Sequence, residues 1–251
     1  MSPTPTVAAP TTTEMSSGVW RPRPGVSWHW QLSGDIDVGV DAEMFDVDLF
    51  EVPVRVVDEL HSRGRVVVCY LSAGAWEEFR PDSDAFPREV LGDTNGWPGE
   101  RWVDIRRLDV LGPIIEARLD LCRDKGFDGV EADNVDGYAN DSGFPLTEQD
   151  QLAFNRFLAE AAHARGLSIG LKNDVDQVAV LEPFFDWALN EECARFDECG
   201  LLVPFIDAGK AVFHVEYNLT LDEFCPQTTA LGFSSVLKRP ELDAWTDPCP
   251  G

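Results

Sequence analysis

The stretch Gly126-Phe127-Asp128-Gly129-Val130-Glu131-Ala132-Asp133-Asn134-Val135-Asp136-Gly137-Tyr138 concentrates more chemistry than any other part of the chain. It opens on a glycine that ends a helix, runs through a short apolar strand and breaks into a polar tip. Glu131, Asp133, Asn134, Asp136 and Tyr138 bring three carboxylates, an amide and a phenol together there. Other strand candidates end in similar groups: Trp30 and Gln31; Tyr70 and Ser72; Lys172, Asn173 and Asp174; Asn190, Glu191 and Glu192; Glu216 and Tyr217. Rings that stack on sugar faces beside carboxylates that move protons are the makings of a carbohydrate-cleaving site. Such cleavage needs two carboxyl groups, one ionised and one protonated until it donates. Asp133 and Glu191, two strands apart across one mouth, are the candidate pair. Trp30, Tyr70, Trp76, Asn134, Asp136, Tyr138, Lys172, Asp174, Glu216 and Tyr217 are the candidate substrate contacts. Some neighbours have plainer readings: Asp128 and Asp136 as turn residues, Glu131 pointing inward or pairing with Lys172, and Glu192 facing away from the mouth.

The elements that must carry these groups follow from periodicity. Val26 to Leu32, Phe45 to Val52, Arg65 to Ala73, residues 127–133, Leu167 to Lys172, Asp186 to Asn190, Ala211 to Tyr217 and Gly232 to Leu237 read as strands. Several are β-branched runs, the pattern of strands covered on both faces. Helical spacing appears at Val54–Arg63, at about Val110–Lys125, after the capping box Thr147/Asp150, near Val175–Leu181 and near Leu221–Leu231. Gly64, Gly126, Gly166, Gly209 and Gly232 each precede a strand, as helix-ending glycines do. The alternation predicts an α/β chain: a single (β/α)8 TIM-like barrel over residues 23–251, with a long loop insertion at 74–108 after strand three. In such barrels the strands' C-terminal ends carry the active site. A doubly wound sheet is the competing architecture, but no GxGxxG follows the first strand.

Composition narrows the partners. The 251-residue chain carries 45 acidic and 20 basic residues, a net charge of −25. That disfavours nucleic acid and anionic membranes and suits a cationic ligand. No apolar run approaches the roughly eighteen residues that would span a membrane. Residues 1–22 read as a disordered Thr/Pro-rich leader without the basic and apolar regions of an export signal. None of the six cysteines forms a CxxC pair; Cys193 with Cys199 and Cys225 with Cys249 are the expected disulfides, with Cys69 and Cys122 as buried thiols. His61 and His163 lie on helices, and His29 and His214 read as packing or substrate contacts, so a metal-dependent deacetylase lacks its ligands. Calcium at Asp133, Asn134 and Asp136 would find three ligands where it prefers six to eight. No cofactor is expected.

Several stretches resemble glycoside hydrolase family 114, the endo-α-1,4-polygalactosaminidases: WHWQL (28–32), YLSAGAW (70–76), WPGERWVDIR (97–106), GFDGVEADNVDGY (126–138), GFPLT (143–147), GLKND (170–174) and WALNEEC (187–193). They span nearly all of residues 26–240. The resemblance implies a TIM-like barrel that hydrolyses α-1,4-linked galactosamine polymer, a polycation when its amines are free. It implies a catalytic Asp and Glu, which fall on Asp133 and Glu191. By analogy with α-acting barrels, Asp133 is the nucleophile and Glu191 the acid/base of a retaining reaction, with reversed roles or inversion as alternatives. Ala132 departs from the family, where proline is expected. Apart from the resemblance, the even cysteine count and the stalk-like leader point to a secreted or cell-surface protein, and a monomer is expected. The competing readings are a non-catalytic sugar-binding barrel and an α-glycosidase of different substrate.

Overall fold

The computed structural model describes residues 18–250, so residues 1–17 of the expected leader lie outside the described residues. The fold is mixed α/β, built on one curled nine-stranded sheet. Its strands are β1 (Trp28–Gln31), β2 (Met44–Asp48), β3 (Val66–Ser72), β6 (Gly129–Asp133), β7 (Ser168–Lys172), β8 (Trp187–Glu191), β9 (Val212–Glu216), β10 (Ser234–Leu237) and β11 (Asp247–Pro248). They pair in that order. Every contact is parallel except β10 with β11. The remaining strands, β4 (Ala75–Glu77) and β5 (Glu100–Trp102), form a separate antiparallel ribbon within residues 73–107, where the sequence shows no period.

Helices α1 (Val54–Ser62), α2 (Leu108–Asp124), α3 (Glu148–His163), α4 (Val178–Leu181), α5 (Val203–Asp207) and α6 (Leu221–Ala230) connect the strands. Thr147 caps α3 through the expected box with Asp150, its backbone N–H donating to Asp150 at 2.9 Å. The five glycines that precede strands all have positive φ, from 74° to 88°. That left-handed geometry stops a helix and turns the chain into the next strand.

Two apolar clusters follow from side-chain alternation. One joins outward residues such as Val67, Cys69, Leu71, Val130 and Ile169 to helix residues such as Leu60, Ile115, Leu119 and Leu158. The other contains no buried helix residue: Trp28, Trp30, Met44, Val68, Trp187, Leu189, Phe213 and Val215 fill the concave face. Gly170 is required there, because an added Cβ would fall 2.2 Å from the Trp187 ring. Toward the strands' C-terminal ends the concave face turns polar, with Asp46, Tyr70, Glu131, Asp133, Lys172 and Glu191 replacing apolar groups.

Three disulfides are present: Cys69–Cys122, Cys193–Cys199 and Cys225–Cys249. The last two are as expected, but Cys69 and Cys122 are not free thiols. Cys69 points outward from β3 and Cys122 inward from α2, and the Cα atoms lie 6.1 Å apart, within bridging range. The first described contacts come from residues placed in the leader. Trp20 meets Trp187 edge-on, Arg21 pairs with Asp186 at 3.1 Å, and Pro22 accepts from the Ala211 N–H. No helix among the described residues is long and apolar enough to cross a membrane.

Candidate active site

β6, β7 and β8 are neighbours, and they end on the inward residues Asp133, Lys172 and Glu191; Lys172 is registered beside Leu189, two residues before Glu191. Lys172 Nζ lies 2.9 Å from Glu131, 3.0 Å from Asp133 and 3.3 Å from Glu191. The two open readings of Glu131 are therefore both met, since it points inward and pairs with Lys172. Burial alone would lower the Lys172 ammonium, but Asp133, Glu131 and Glu191 raise it well above the usual lysine value. Its charge is held 4.8 Å from the centre of the Trp30 ring, a cation–π contact.

Asp133 is addressed wholly by donors. Oδ1 accepts from Lys172 and from the Asn134 backbone N–H at 2.7 Å, and Oδ2 accepts from the Tyr70 hydroxyl at 3.0 Å. Glu191 accepts from the Tyr217 hydroxyl at 2.5 Å and from Asn173 at 3.2 Å. Burial first, and then the neighbouring carboxylate, pushes both phenols up, so they stay protonated donors. Backbone geometry helps to hold the pair. Asn134, Asn173, Asp174 and Glu192, just beyond the three strand ends, all have positive φ. Such conformations cost energy and gather where function demands them. Gly74 permits the approach of β3's exit to Asn134, whose carbonyl would lie 1.7 Å from an added Cβ. In this arrangement the Ala73 and Gly74 N–H groups both donate to the Asp133 carbonyl.

Above these groups opens a pocket of about 400 Å³ lined by Trp30, Tyr70, Asp133, Asn134 and Tyr217, five of the residues named from sequence. Glu191 is not among the lining residues, but it is bonded to Tyr217, which is, and 29% of its side chain is exposed. The pocket also takes residues that the sequence reading did not assign: Trp97 and Glu100 from the ribbon segment, Glu192, Asn218 and the segment Pro240 to Leu242. Trp97 and Glu100 belong to one aromatic-rich motif, which was the available signal. Glu192 does not face away, because its positive φ redirects the chain; it pairs with Arg195 at 2.6 Å and accepts from Asn218 at 2.8 Å. A larger apolar pocket of about 560 Å³ lies at the strands' opposite ends, and its only carboxylate, Asp41, is paired with Arg65.

Seven candidates do not line the pocket: Lys172 and Glu191, bonded to its lining residues as described, and five others. Trp76 turns back onto the outer cluster and donates its indole N–H to the Ser83 carbonyl. Glu216 is fully buried on the outer side of β9, bonded to His214 at 3.1 Å and capping the N–H groups of Ala194 and Arg195. Asp174 is buried beneath the mouth and bonded to Asn155 at 2.8 Å; burial, then Asp136, pushes it up to about 8. Asp136 is half-buried and pushed up to about 6 by burial and by Asp133. Tyr138 lies against α3, its N–H directed to Gln151. Asp128 proves structural, accepting from Val67 N–H and meeting His61. His29 and His214 are fully buried packing groups. Cys193, Cys199 and His214 cluster closely, but those sulfurs are joined to each other and offer no thiolate to a metal.

Comparison with known proteins gives concordant matches. The model of the family described as glycoside-hydrolase family GH114 matches residues 9–251. The crystal structure of Aspergillus fumigatus Ega3 in complex with galactosamine is 40% identical, with a TM-score of 0.87, covering 94% of this chain and all of that one. The glycoside hydrolase domain of PelA from Pseudomonas aeruginosa is 14% identical, with a TM-score of 0.70, covering 89% of this chain and 98% of that one. TtGalA, an α-galactosidase from Thermus thermophilus in complex with stachyose, is 14% identical with a TM-score of 0.53, covering 89% of this chain and 63% of that one. The last two likenesses speak to the fold alone. A search of curated proteins found no match.

Proposed function

The chain belongs to glycoside-hydrolase family GH114, and from that premise we propose that it is a secreted, endo-acting hydrolase of α-1,4-linked galactosamine polymer using Asp133 and Glu191. The observation that carries this reading is Lys172, one ammonium in contact with both carboxylates, of which Asp133 lines a ring-bearing pocket. Galactosamine occupies the Ega3 structure, and a net charge of −25 suits a polymer of such units with free amines.

Asp133 is read as the nucleophile. Three donors address it as an acceptor, which orients its lone pairs toward an anomeric carbon in the pocket. Glu191 is the acid/base: it protonates the departing glycosidic oxygen, then takes a proton from the water that releases the covalent intermediate. Lys172 touches one oxygen of each, at 3.0 and 3.3 Å, which brings the two carboxyl groups near one another, as the roughly 5 Å separation of a retaining pair requires. Tyr70 and Tyr217 steady the two groups, while Trp30, Trp97 and Asn134 offer ring and amide contacts to sugar.

The sheet is read as a (β/α)8 barrel closed between β1 and β10. In support, the Trp28 indole N–H donates to the Ser234 carbonyl at 2.9 Å. Residues 74–108 are then an insertion that walls one side of the cleft, and residues 23–251 are the hydrolase domain. Three disulfides favour an oxidising, extracellular setting.

The test is hydrolysis of soluble, partly deacetylated α-1,4-galactosaminan by wild type, Asp133→Asn and Glu191→Gln, with products sized by mass spectrometry and the first-formed anomer read by NMR. Cleavage by wild type to internal fragments of retained configuration is expected, with at least a hundredfold loss in both folded variants. Binding without cleavage by the wild type would make this a sugar-binding barrel. Inverted product would remove the covalent step.

A further inference from the structure

Asp133 and Glu191 are each held by an asparagine that has left strand geometry. Beyond β6, Asn134 at φ 61° donates its N–H to Asp133 at 2.7 Å. Beyond β7, Asn173 at φ 48° donates its side-chain amide to Glu191 at 3.2 Å and accepts the Glu191 N–H at 2.9 Å. Left-handed backbone at a residue other than glycine persists only where the surroundings enforce it. One side chain does so for both loops. Asn155 of α3 is fully buried, and its amide nitrogen reaches the residue that follows each asparagine. It donates to the Val135 carbonyl at 3.0 Å and to Asp174 Oδ2 at 2.8 Å. Its oxygen accepts from Gln151, one turn earlier on α3 and also fully buried, at 2.9 Å. The Gln151 oxygen is met more loosely by the Tyr138 N–H at 3.4 Å. A backbone carbonyl can only accept, so the amide has one orientation and both its hydrogens are committed, one to each loop. The Asp174 carboxyl makes no other side-chain hydrogen bond among the described residues, and its Oδ1 has no partner.

We propose that Asn155 is a positioning residue: its amide ties the exit loops of β6 and β7 to each other and thereby fixes the separation of Asp133 and Glu191. The inference rests on the reading of those two as the reacting pair. The support is rigid, because α3 is capped by the Thr147 box and packed through Phe154 and Leu158 into the outer cluster. Lys172, Tyr70 and Tyr217 reach the carboxyl groups directly, each through a long side chain. Asn155 acts one step further back, on the loops from which Asn134 and Asn173 make their bonds. Displacement of reacting groups by about 1 Å costs up to a hundredfold in rate, so this link bears on turnover more than on sugar binding. It also gives a place to Asp174 and to the Tyr138 N–H, both of which lie outside the pocket.

The experiment compares wild type with Asn155→Leu, Asn155→Ala and Leu158→Ala. Leucine is close to asparagine in size and has no donor. Alanine leaves room for water, which can satisfy the carbonyl and the carboxyl but ties nothing together. Leu158 is an apolar residue of the same helix in the outer cluster, so its truncation weakens the fold without removing a hydrogen bond. The readouts are kcat and KM on soluble galactosaminan well below the melting temperature, and NMR hydrogen exchange of the Asn134 and Glu191 N–H groups without substrate. Asn155→Leu is expected to lower kcat about thirtyfold and Asn155→Ala about tenfold, with KM within about twofold. Both should exchange the two N–H groups at least about tenfold faster, relative to the other amides of β6 and β8. Leu158→Ala is expected to keep kcat within about twofold and to leave those relative exchange rates unmoved. Asn155 variants that match Leu158→Ala in kcat, a loss carried by KM alone, or faster exchange at one of the two groups only would each overturn the proposal. If Asn155→Leu does not fold, Asn155→Ala decides it. If the wild type cleaves nothing, the functional reading fails, while exchange at the two groups still reports whether Asn155 ties the loops.

Discussion

Lys172 carries the charge balance of the site, because it is the one buried cation among Glu131, Asp133 and Glu191. Removing one partner of a buried ion pair leaves the other uncompensated, at a cost of about 3–5 kcal/mol. Lys172→Met is accordingly expected to lower stability by about that amount and to abolish turnover. Adding Glu131→Gln removes the stranded charge, so the double variant should regain most of the stability and none of the activity. Urea unfolding alongside the hydrolysis assay reads both. A double variant as unstable as the single one would mean that the cost lay in packing the lysine stem, not in charge. At this scale the sequence marked the strand ends that carry polar groups but not which way each side chain points. Asp133, Lys172 and Glu191 all carry inward parity. Glu216 has the parity of Val212 and His214, opposite to Phe213 and Val215, so alternation alone could have sent it outward. Asp174 and Asn173 before it both leave strand geometry by positive φ, and no periodicity reads through such a break. Trp76 was chosen for its ring, but its place on the ribbon turns that ring toward the outer cluster.

Element boundaries were legible wherever a period or a cap marked them: the five helix-ending glycines, the Thr147 box and the β-branched strands all stand close to where the sequence puts them. The segment between β3 and α2 was not, since its order comes from one short ribbon and from contacts distant in sequence. That segment brings Trp97 and Glu100 to the pocket, and it lies inside the loop of 53 residues closed by Cys69–Cys122. The disulfide therefore limits the freedom of the unfolded chain over the stretch that walls the site. Replacing both cysteines by alanine is expected to cost about 2–4 kcal/mol. Thermal melting of the double variant, oxidised and reduced, measures this. The reducing agent should still lower the melting temperature of the variant through the other two bridges, but by less than in the wild type. An unchanged wild-type melting temperature in the double variant would show that the bridge constrains nothing.

At the scale of the molecule, an excess of acid is built into both surface and interior. Glu131, Asp136 and Asp174 are pushed up to about 7, 6 and 8, in each case chiefly by burial. In the unfolded chain such groups titrate near 4. Between those limits the folded state binds more protons than the unfolded state, so stability falls as pH rises. Their contribution is complete below about pH 4 and is lost as pH climbs through the folded values. Self-repulsion at a net charge of −25 acts in the same direction, weakening as carboxylates protonate. His29 opposes this on the acid side: burial, then Lys238, lowers it to about 4, so its contribution is lost as pH falls through the range from about 6.5 to 4. The melting temperature should therefore rise from pH 8 to pH 6 by on the order of 5 °C, the equivalent of about 2 kcal/mol in a chain of this size. Asp174→Asn, which fixes one of these groups in its neutral form, should flatten the rise. Melting curves at closely spaced pH values decide it, and a temperature that stays level or falls on acidification would show that the buried acids are ionised in the fold. The same excess of carboxyl groups would then serve two ends: protonated beneath the mouth, they stabilise the fold toward acid, and ionised around it, they draw in a cationic chain.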